Sequence, residues 1–321
     1  MVSSFIRSAA LQAFPELARS HGLDPHRLLR QVGLSVAVLE SDDLRIPATS
    51  VLRLLEIAAE VSGEPAFGLR LAETRRLSTL GPLGLLARDE PTLRAALATM
   101  IQFSRMHNEA LLIDLDESGP LAVIRLSLLD KEAGRQSIEL AVGATYRFLR
   151  VFLGNEWRAR AVCFMHAGPA DTSVHRRIFG CPLRFSQDLN GMILDPDNLD
   201  TPIALADPVL GQLYRQLLPQ QPPTGTRQTV YEVQQLILAL MPSGRARLGQ
   251  IAALMNVDRK TIHRHLLAEH TSFGQLLEQT RVQLLQRYEQ QGTHTLTEIG
   301  ALLGFGSISA FSRWRRHDSA P

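Results

Sequence analysis

Two stretches near the end of the chain share one hydrophobic rhythm. In Leu248–Leu266, the apolar residues Leu248, Ile251, Ala252 and Met255 recur at helical spacing. A polar break follows, and Ile262 and Leu266 resume the period behind Asp258, a residue suited to cap a helix. In Thr295–Arg313, Leu296, Ile299, Leu302 and Leu303 mark a helix that Gly304 ends. That helix opens with Thr295 and Glu298, the pattern of a capping box. Ser307 is placed to cap the helix that follows. Each stretch therefore predicts a short helix, a tight turn and a second helix: two helix-turn-helix units in tandem.

Between them, Phe273, Leu276, Leu277, Leu284, Leu285 and Tyr288 keep the helical period as far as Gly292. Ser272, with Gln275 three residues on, opens this connecting helix. From Ser272 to Gln291 it spans about 27–30 Å at ~1.5 Å per residue. Upstream, Val230, Val233, Leu236, Ile237 and Leu240 form an apolar stripe that packs the first unit.

The texture before residue 218 is different. A helix follows Pro47 up to Gly63, and another follows Pro91 with Leu93, Ala96, Leu97, Met100 and Ile101 on one face. Ala110–Leu115 and Leu121–Leu126, around a turn containing Gly119 and Pro120, predict a β-hairpin. Ile138–Leu153 reads as a long helix, Ala159–His166 and Pro182–Phe185 as strands, and Asp207 with Pro208 as a helix start. Residues 219–229, with prolines and a glycine, read as a linker. The expected organisation is an α+β domain over 1–218, a linker over 219–229 and an all-α domain over 230–321.

Charge sharpens this division. From Arg227 onward the chain carries eleven arginines and lysines against seven carboxylates; before it the count is 23 against 25. A basic tail beside a slightly acidic body suits a tail that meets phosphate. The two cysteines, Cys163 and Cys181, make neither a disulfide framework nor a metal set, and no apolar run is long enough to span a bilayer. The expected setting is a reducing cytoplasm with no membrane partner.

Helix-turn-helix units place their second helix in the DNA major groove. With Ile262 and Leu266 turned to the core, Arg259, Lys260, His263 and Arg264 face outward, with Thr261 at the edge. In the second unit Ser307 lies at the turn, and Ser309, Ser312, Arg313 and Arg316 are offered by the helix. Arg and Lys bond guanine edges or phosphates, and hydroxyls do either. The length of the connecting helix is of the order of one turn of B-DNA, about 34 Å, so two units can address successive major grooves.

Ile251–Met255, Phe273–Arg281, Ile299–Phe305 and Ser309–Arg313 resemble the DNA-binding domain of the AraC/XylS family of bacterial transcription regulators. That likeness covers about residues 230–316. Leu44–Pro47, Phe67–Leu71, Gly81–Gly84 and Val162–Pro169 carry a likeness, over most of residues 15–210, to the arabinose-binding-like domain of the ornithine-utilisation and virulence regulator subgroup. The resemblance implies an α+β domain for sensing or dimerisation, followed by the tandem units. It also implies a homodimer, a small-molecule effector, double-stranded promoter DNA and RNA polymerase as partners, and an activator. By position it makes Lys260 and Arg264 base readers, with Ser309 and Arg313 as counterparts. The family's closing segment is replaced here by Trp314-Arg-Arg-His-Asp-Ser-Ala-Pro321. Either Trp314 takes the place of a core aromatic or Arg315 intrudes there, and weaker reading by the second unit is the expectation.

Other constellations point to structure. On a strand, Cys163 and His166 would face opposite sides and could not form a nucleophile–base pair. Arg105, His107 and Glu109 read as a solvated helix end, with a polar ligand contact as the alternative. Asp195–Asp200 reads as a turn, lacking the glycine and closing glutamate of a calcium loop. No phosphate-cradling loop or metal-spaced set is present, so no cofactor, metal or enzymatic activity is expected. Two alternatives stand beside the effector-controlled regulator: one controlled by its own abundance, and an enzyme with a DNA-binding tail. A body cavity with apolar walls and a few polar groups would favour effector control over abundance.

Overall fold

The computed structural model describes residues 4–129, 134–203, 206, 226–241, 244, 246–255, 257–291 and 295–318. In chain order the strands are β1 (Phe5–Arg7), β2 (Arg45–Pro47), β3 (Leu111–Asp116), β4 (Ala122–Leu128), β5 (Ala161–Cys163), β6 (Leu183–Arg184) and β7 (Asn190–Leu194). The helices of the first part are α1 (Phe14–Ser20), α2 (Pro25–Gln31), α3 (Ala48–Ser62), α4 (Phe67–Glu73), α5 (Pro82–Arg88), α6 (Leu93–His107), α7 (Arg135–Leu153) and α8 (Ser173–Phe179). Those of the second are α9 (Thr226–Leu240), α10 (Leu248–Leu254), α11 (Arg259–Ala268), α12 (Phe273–Gln291), α13 (Leu296–Leu302) and α14 (Ile308–Asp318).

The chain forms two compact units. The body comprises Ser4–Val32 and Ala48–Pro219; the other unit comprises Met1–Ser3, Gly33–Pro47 and Gln220–Pro321. Residues 33–47 thus group with the C-terminal helices, although the sequence reading placed them in the body.

A five-stranded sheet in the order β3-β4-β7-β5-β6 anchors the body. The expected hairpin forms as β3 and β4, antiparallel with Leu111 opposite Leu128. Along β4, Ala122, Ile124 and Leu126 are buried while the residues between them are more open, the alternation of a sheet with one covered face. β7 pairs antiparallel with both β4 and β5, and β6 runs parallel to β5. Helix α7 lies in the same apolar core through Ile138, Val142, Tyr146 and Leu149.

α4 and α7 approach closely because their contact points are small. A Cβ on Gly143 would lie 2.7 Å from both Ala72 Cβ and a Leu69 methyl. The Gln136 side chain accepts from Gly68 N–H (2.8 Å) and donates to Pro65 O (3.0 Å), which fixes the start of the pair.

Several expected boundaries shift. The strand expected over 159–166 is only Ala161–Cys163, and that over 182–185 only Leu183–Arg184. Beyond Cys163, Phe164 and His166 join an aromatic cluster with Phe185, and backbone bonds such as Phe164 N–H to Arg184 O (2.8 Å) and Ser186 N–H to His166 O (3.0 Å) continue outside the regular strand. The long helix starts three residues early, at Arg135. Pro196–Asp200 is a short 3-10 turn. Helix α9 begins at Thr226, inside the expected linker. The residues Thr226–Leu240 hold no proline or glycine, and Thr229 Oγ1 is 2.9 Å from His265 Nδ1. The expected helix start at 207–208 and residues 219–225 of the linker lie outside the described residues.

The body also encloses a cavity of about 100 Å³ between α3, α5, α6, α7 and the β3–β4 hairpin. Val51, Leu55, Leu83, Met100 and Leu128 are among its apolar walls.

Candidate nucleic-acid interface

The turns of the two C-terminal helix pairs share one return hydrogen bond. α10 ends at Leu254, and Val257 N–H reaches back to Ala252 O at 3.0 Å. α13 ends at Leu302, and Gly304 N–H donates to Ala301 O (2.9 Å) while Phe305 N–H donates to Gly300 O (3.0 Å). This paired return satisfies the last carbonyls of a helix and calls for a left-handed residue. Gly304 supplies it at φ +75°, and a Cβ there would sit 2.5 Å from Met241 O.

The caps are those the sequence predicts. Asp258 accepts from Lys260 N–H at 2.8 Å and opens α11. Thr295 and Glu298 cap α13 reciprocally. Ser272 Oγ accepts from Gln275 N–H at 3.3 Å, and Ser307 Oγ from Ala310 N–H at 3.2 Å.

Burial orients each second helix. Ile262 and Leu266 turn α11 inward, among a buried set that includes Val233, Leu236, Ile237, Leu240, Ile251 and Met255. Arg259, Lys260, His263 and Arg264 are consequently exposed, and Thr261 is half-buried at the edge. Phe311 turns α14 inward, and Ser307, Ser309, Ser312, Arg313 and Arg316 are exposed. Ser307 and Ser309 hydroxyls lie 3.1 Å apart, and Arg316 Nε donates to Ser312 O at 3.3 Å.

The arginines of the body and of these helices differ in company. Arg70, Arg94, Arg160 and Arg177 pair with Glu64, with Glu117 and Asp200, with Asp195 and with Glu73 respectively. Among the described residues, no carboxylate pairs with Arg259, Lys260, Arg264 or Arg313. Exposed cations with no internal counter-ion are available to an external polyanion.

The second pair is braced from α12 by residues that lie outside the predicted site. Arg281 stands over the Phe305 ring at 4.4 Å, donates to Leu303 O at 3.3 Å and meets Glu278 at 3.7 Å. Burial lowers its pKa from the ordinary guanidinium value. Trp314 packs on Phe305 (5.2 Å between centroids) and Phe311 (6.0 Å), and its indole N–H donates to Glu278. Trp314 therefore occupies the aromatic position, and Arg315 pairs with Glu289 of α12 at 2.8 Å. The aromatic spacing was visible in the sequence; the partner Glu278, far upstream, was not.

Among the described residues Cys163 and His166 form no nucleophile–base pair. Cys163 is buried on β5, and burial pushes its thiol pKa up. His166 lies beyond the strand, with Nε2 3.4 Å from Glu139 Oε1. Among the described residues no group of three His, Cys, Asp or Glu could hold a metal ion. No helix among them is long and apolar enough to cross a membrane. The residues read as one solvated helix end separate: Arg105 is exposed, Glu109 accepts from Phe5 N–H at 2.9 Å, and His107 lines the body cavity. β1 and the hairpin pack against that helix end, with Ile6 bridged to Asn108.

The chain is similar to known proteins over nearly its whole length. The chain is 28% identical over 316 residues to the HTH-type transcriptional regulator VirS of Mycobacterium tuberculosis, covering 97% of this chain and 93% of that protein. It is 27% identical over 310 residues to the ornithine utilization regulator of Pseudomonas aeruginosa, covering 95% and 91%. The crystal structure of the transcriptional regulator CdpR from Pseudomonas aeruginosa matches with a TM-score of 0.47 at 20% identity, covering 97% of this chain and 95% of that one. Residues 22–203 match the N-terminal arabinose-binding domain of AraC transcription regulators, more than half of the chain, and the protein belongs to the AraC family of transcription regulators.

Proposed function

We propose that the protein binds promoter DNA sequence-specifically, with α11 and α14 as the recognition helices of two helix-turn-helix units. The observation that carries this reading is the set of exposed, internally unpaired cations on those two helices. Lys260 and Arg264 read base edges in the first unit, Ser309 and Arg313 in the second. Arg259, Thr261, His263, Ser307, Ser312 and Arg316 complete the contact set. α12, with 19 residues, is about 28 Å long at ~1.5 Å per residue, close to one turn of B-DNA. That length supports reading two successive major grooves.

In the same reading the body controls the tail. A small-molecule effector enters the body cavity, and its unequal affinity for two body states shifts their populations. Homodimerisation through the body and contact with RNA polymerase complete an activator of transcription in the cytoplasm. The cavity, with apolar walls and few polar groups, favours effector control over control by abundance.

Footprinting on the promoters flanking the protein's own gene, with a salt titration, tests the reading. Two protected patches one helical turn apart, with affinity falling steeply as salt rises, are expected. Binding without sequence preference overturns it.

A further inference from the structure

Residues 33–47 leave the body and return to it, yet they group with the C-terminal helices. Both ends of this excursion are fixed in the body. Ser50 Oγ donates to Val32 O at 2.9 Å, so the residue before the excursion and the first turn of α3 after it lie together. Gly33 takes φ +78° at the exit, a conformation that favours glycine. The excursion is therefore a closed loop with its base in the body.

The loop carries two apolar anchors around an acidic stretch. The first is Leu34 with the 3-10 turn Val36–Leu39, which Ser35 opens by accepting from Ala37 N–H at 3.1 Å. The second is β2, with Ile46 at its centre. Leu34, Val38 and Ile46 are at most 2% exposed, whereas Glu40, Asp42 and Asp43 between the anchors are exposed.

Both anchors pack against α9. α9 in turn packs against α11, and Thr229 Oγ1 of α9 lies 2.9 Å from His265 Nδ1 of α11. The loop, α9 and the helix that carries Lys260 and Arg264 thus form one packed series. Drawing α9 away from the loop would return Leu34, Val38 and Ile46 to water, so the apolar contact resists it. Residues 219–225 also join the two units, but they hold only prolines, glutamines, a threonine and a glycine, with no large apolar side chain to bury.

We propose that residues 33–47 are the strap by which the body holds α9 and, through α9, sets the position of α11. The proposal rests on the reading of α11 as a recognition helix and names the route by which the body controls it.

Cutting the folded chain tests it. A protease site inserted between Gln221 and Pro222 of the full chain allows cleavage after folding. The two fragments co-elute on size exclusion, because residues 33–47 of one stay on α9 of the other. Val38→Asp, which puts a charge into the first anchor, lets them separate, whereas Val61→Asp, at a site 63% exposed on α3, does not. Should Val38→Asp not fold, Val38→Ala decides: trimming two buried methyl groups weakens the association of the fragments roughly tenfold. Unaltered fragments that separate, or an association equally tight in either Val38 variant, overturn the proposal. Amide exchange on the uncut chain follows the route. Operator DNA slows exchange at residues 36–39 and at Ile46 as well as in α11, since coupling between two sites acts in both directions. DNA that slows exchange in α11 and leaves the strap unchanged overturns the route. An uncut chain that binds no DNA refutes the recognition-helix reading, and the elution result then decides the strap. Operator binding by an uncut chain whose cut fragments separate refutes the strap and leaves that reading standing.

Discussion

The indole N–H of Trp314 donates to the carboxylate of Glu278, joining α14 to the second turn of the long helix α12. Glu278 also meets Arg281, which covers Phe305, so one carboxylate serves both the tryptophan and the cation over the turn. Trp314→Ala removes the packing and leaves Glu278 short of a donor. We expect a loss of about 2–3 kcal/mol in the thermal unfolding of the full chain. Glu278→Gln keeps the shape and costs less. Amide exchange localises the effect: protection falls in α14 and stays in α11.

Gly304 holds the turn between α13 and α14. A side chain there meets an unfavourable φ and the Met241 carbonyl together. Gly304→Ala therefore destabilises by more than about 1 kcal/mol, the ordinary cost of the left-handed region. Gly274→Ala, on a helix with open space around it, is the control and leaves stability nearly unchanged.

Arg264 and Lys260 on α11 differ from Arg259 in what their loss should do. If the first two read bases, replacing either by Ala costs about 1–3 kcal/mol of operator affinity and relaxes preference at one position. Arg259→Ala instead weakens all sequences alike and reduces the salt slope by about 1. Gel shifts on operator and random DNA at several salt concentrations distinguish the two behaviours.

Acidification should loosen the body through His166. Burial is the largest influence on this ring and lowers its pKa, with the Ala167 carbonyl and Glu139 opposing and Arg135 and His175 assisting. Phe164 and Phe185 pack against it. A histidine with a depressed folded pKa is neutral in both states above the unfolded value, about 6.5, and its protonation below that favours the unfolded chain. Stability falls as pH drops from about 6.5 toward the lower folded pKa. His166→Gln flattens that slope, measured as the melting temperature against pH.

Much of the C-terminal unit was legible in residue spacing, because its determinants are local. Asp258 and Thr295 cap helices within three residues, and Gly304 ends one within its own turn. The exposure of Lys260 and Arg264 follows from the burial of Ile262 and Leu266 on the same helix. The body is less legible in residue spacing. Ala159–His166 has strand composition, yet the regular strand is only Ala161–Cys163; Phe164 and His166 still bond the 184–187 backbone, where Ser186 at φ +54° breaks the extended run. Arg105, His107 and Glu109 are neighbours in sequence, and the structure sends them to three different environments.

By itself the sequence determined the periods, caps and turns of the helix pairs, and with them which cations face outward. Helical period and capping act over a few residues, so spacing alone specifies them. Only the tertiary structure decided that residues 33–47 join the C-terminal helices, that Trp314 finds Glu278, and that Arg75, buried with no carboxylate partner among the described residues, lines the same cavity as Ser137. Each of these depends on residues tens of positions apart meeting in one core, and no local period encodes which distant side chain will be there.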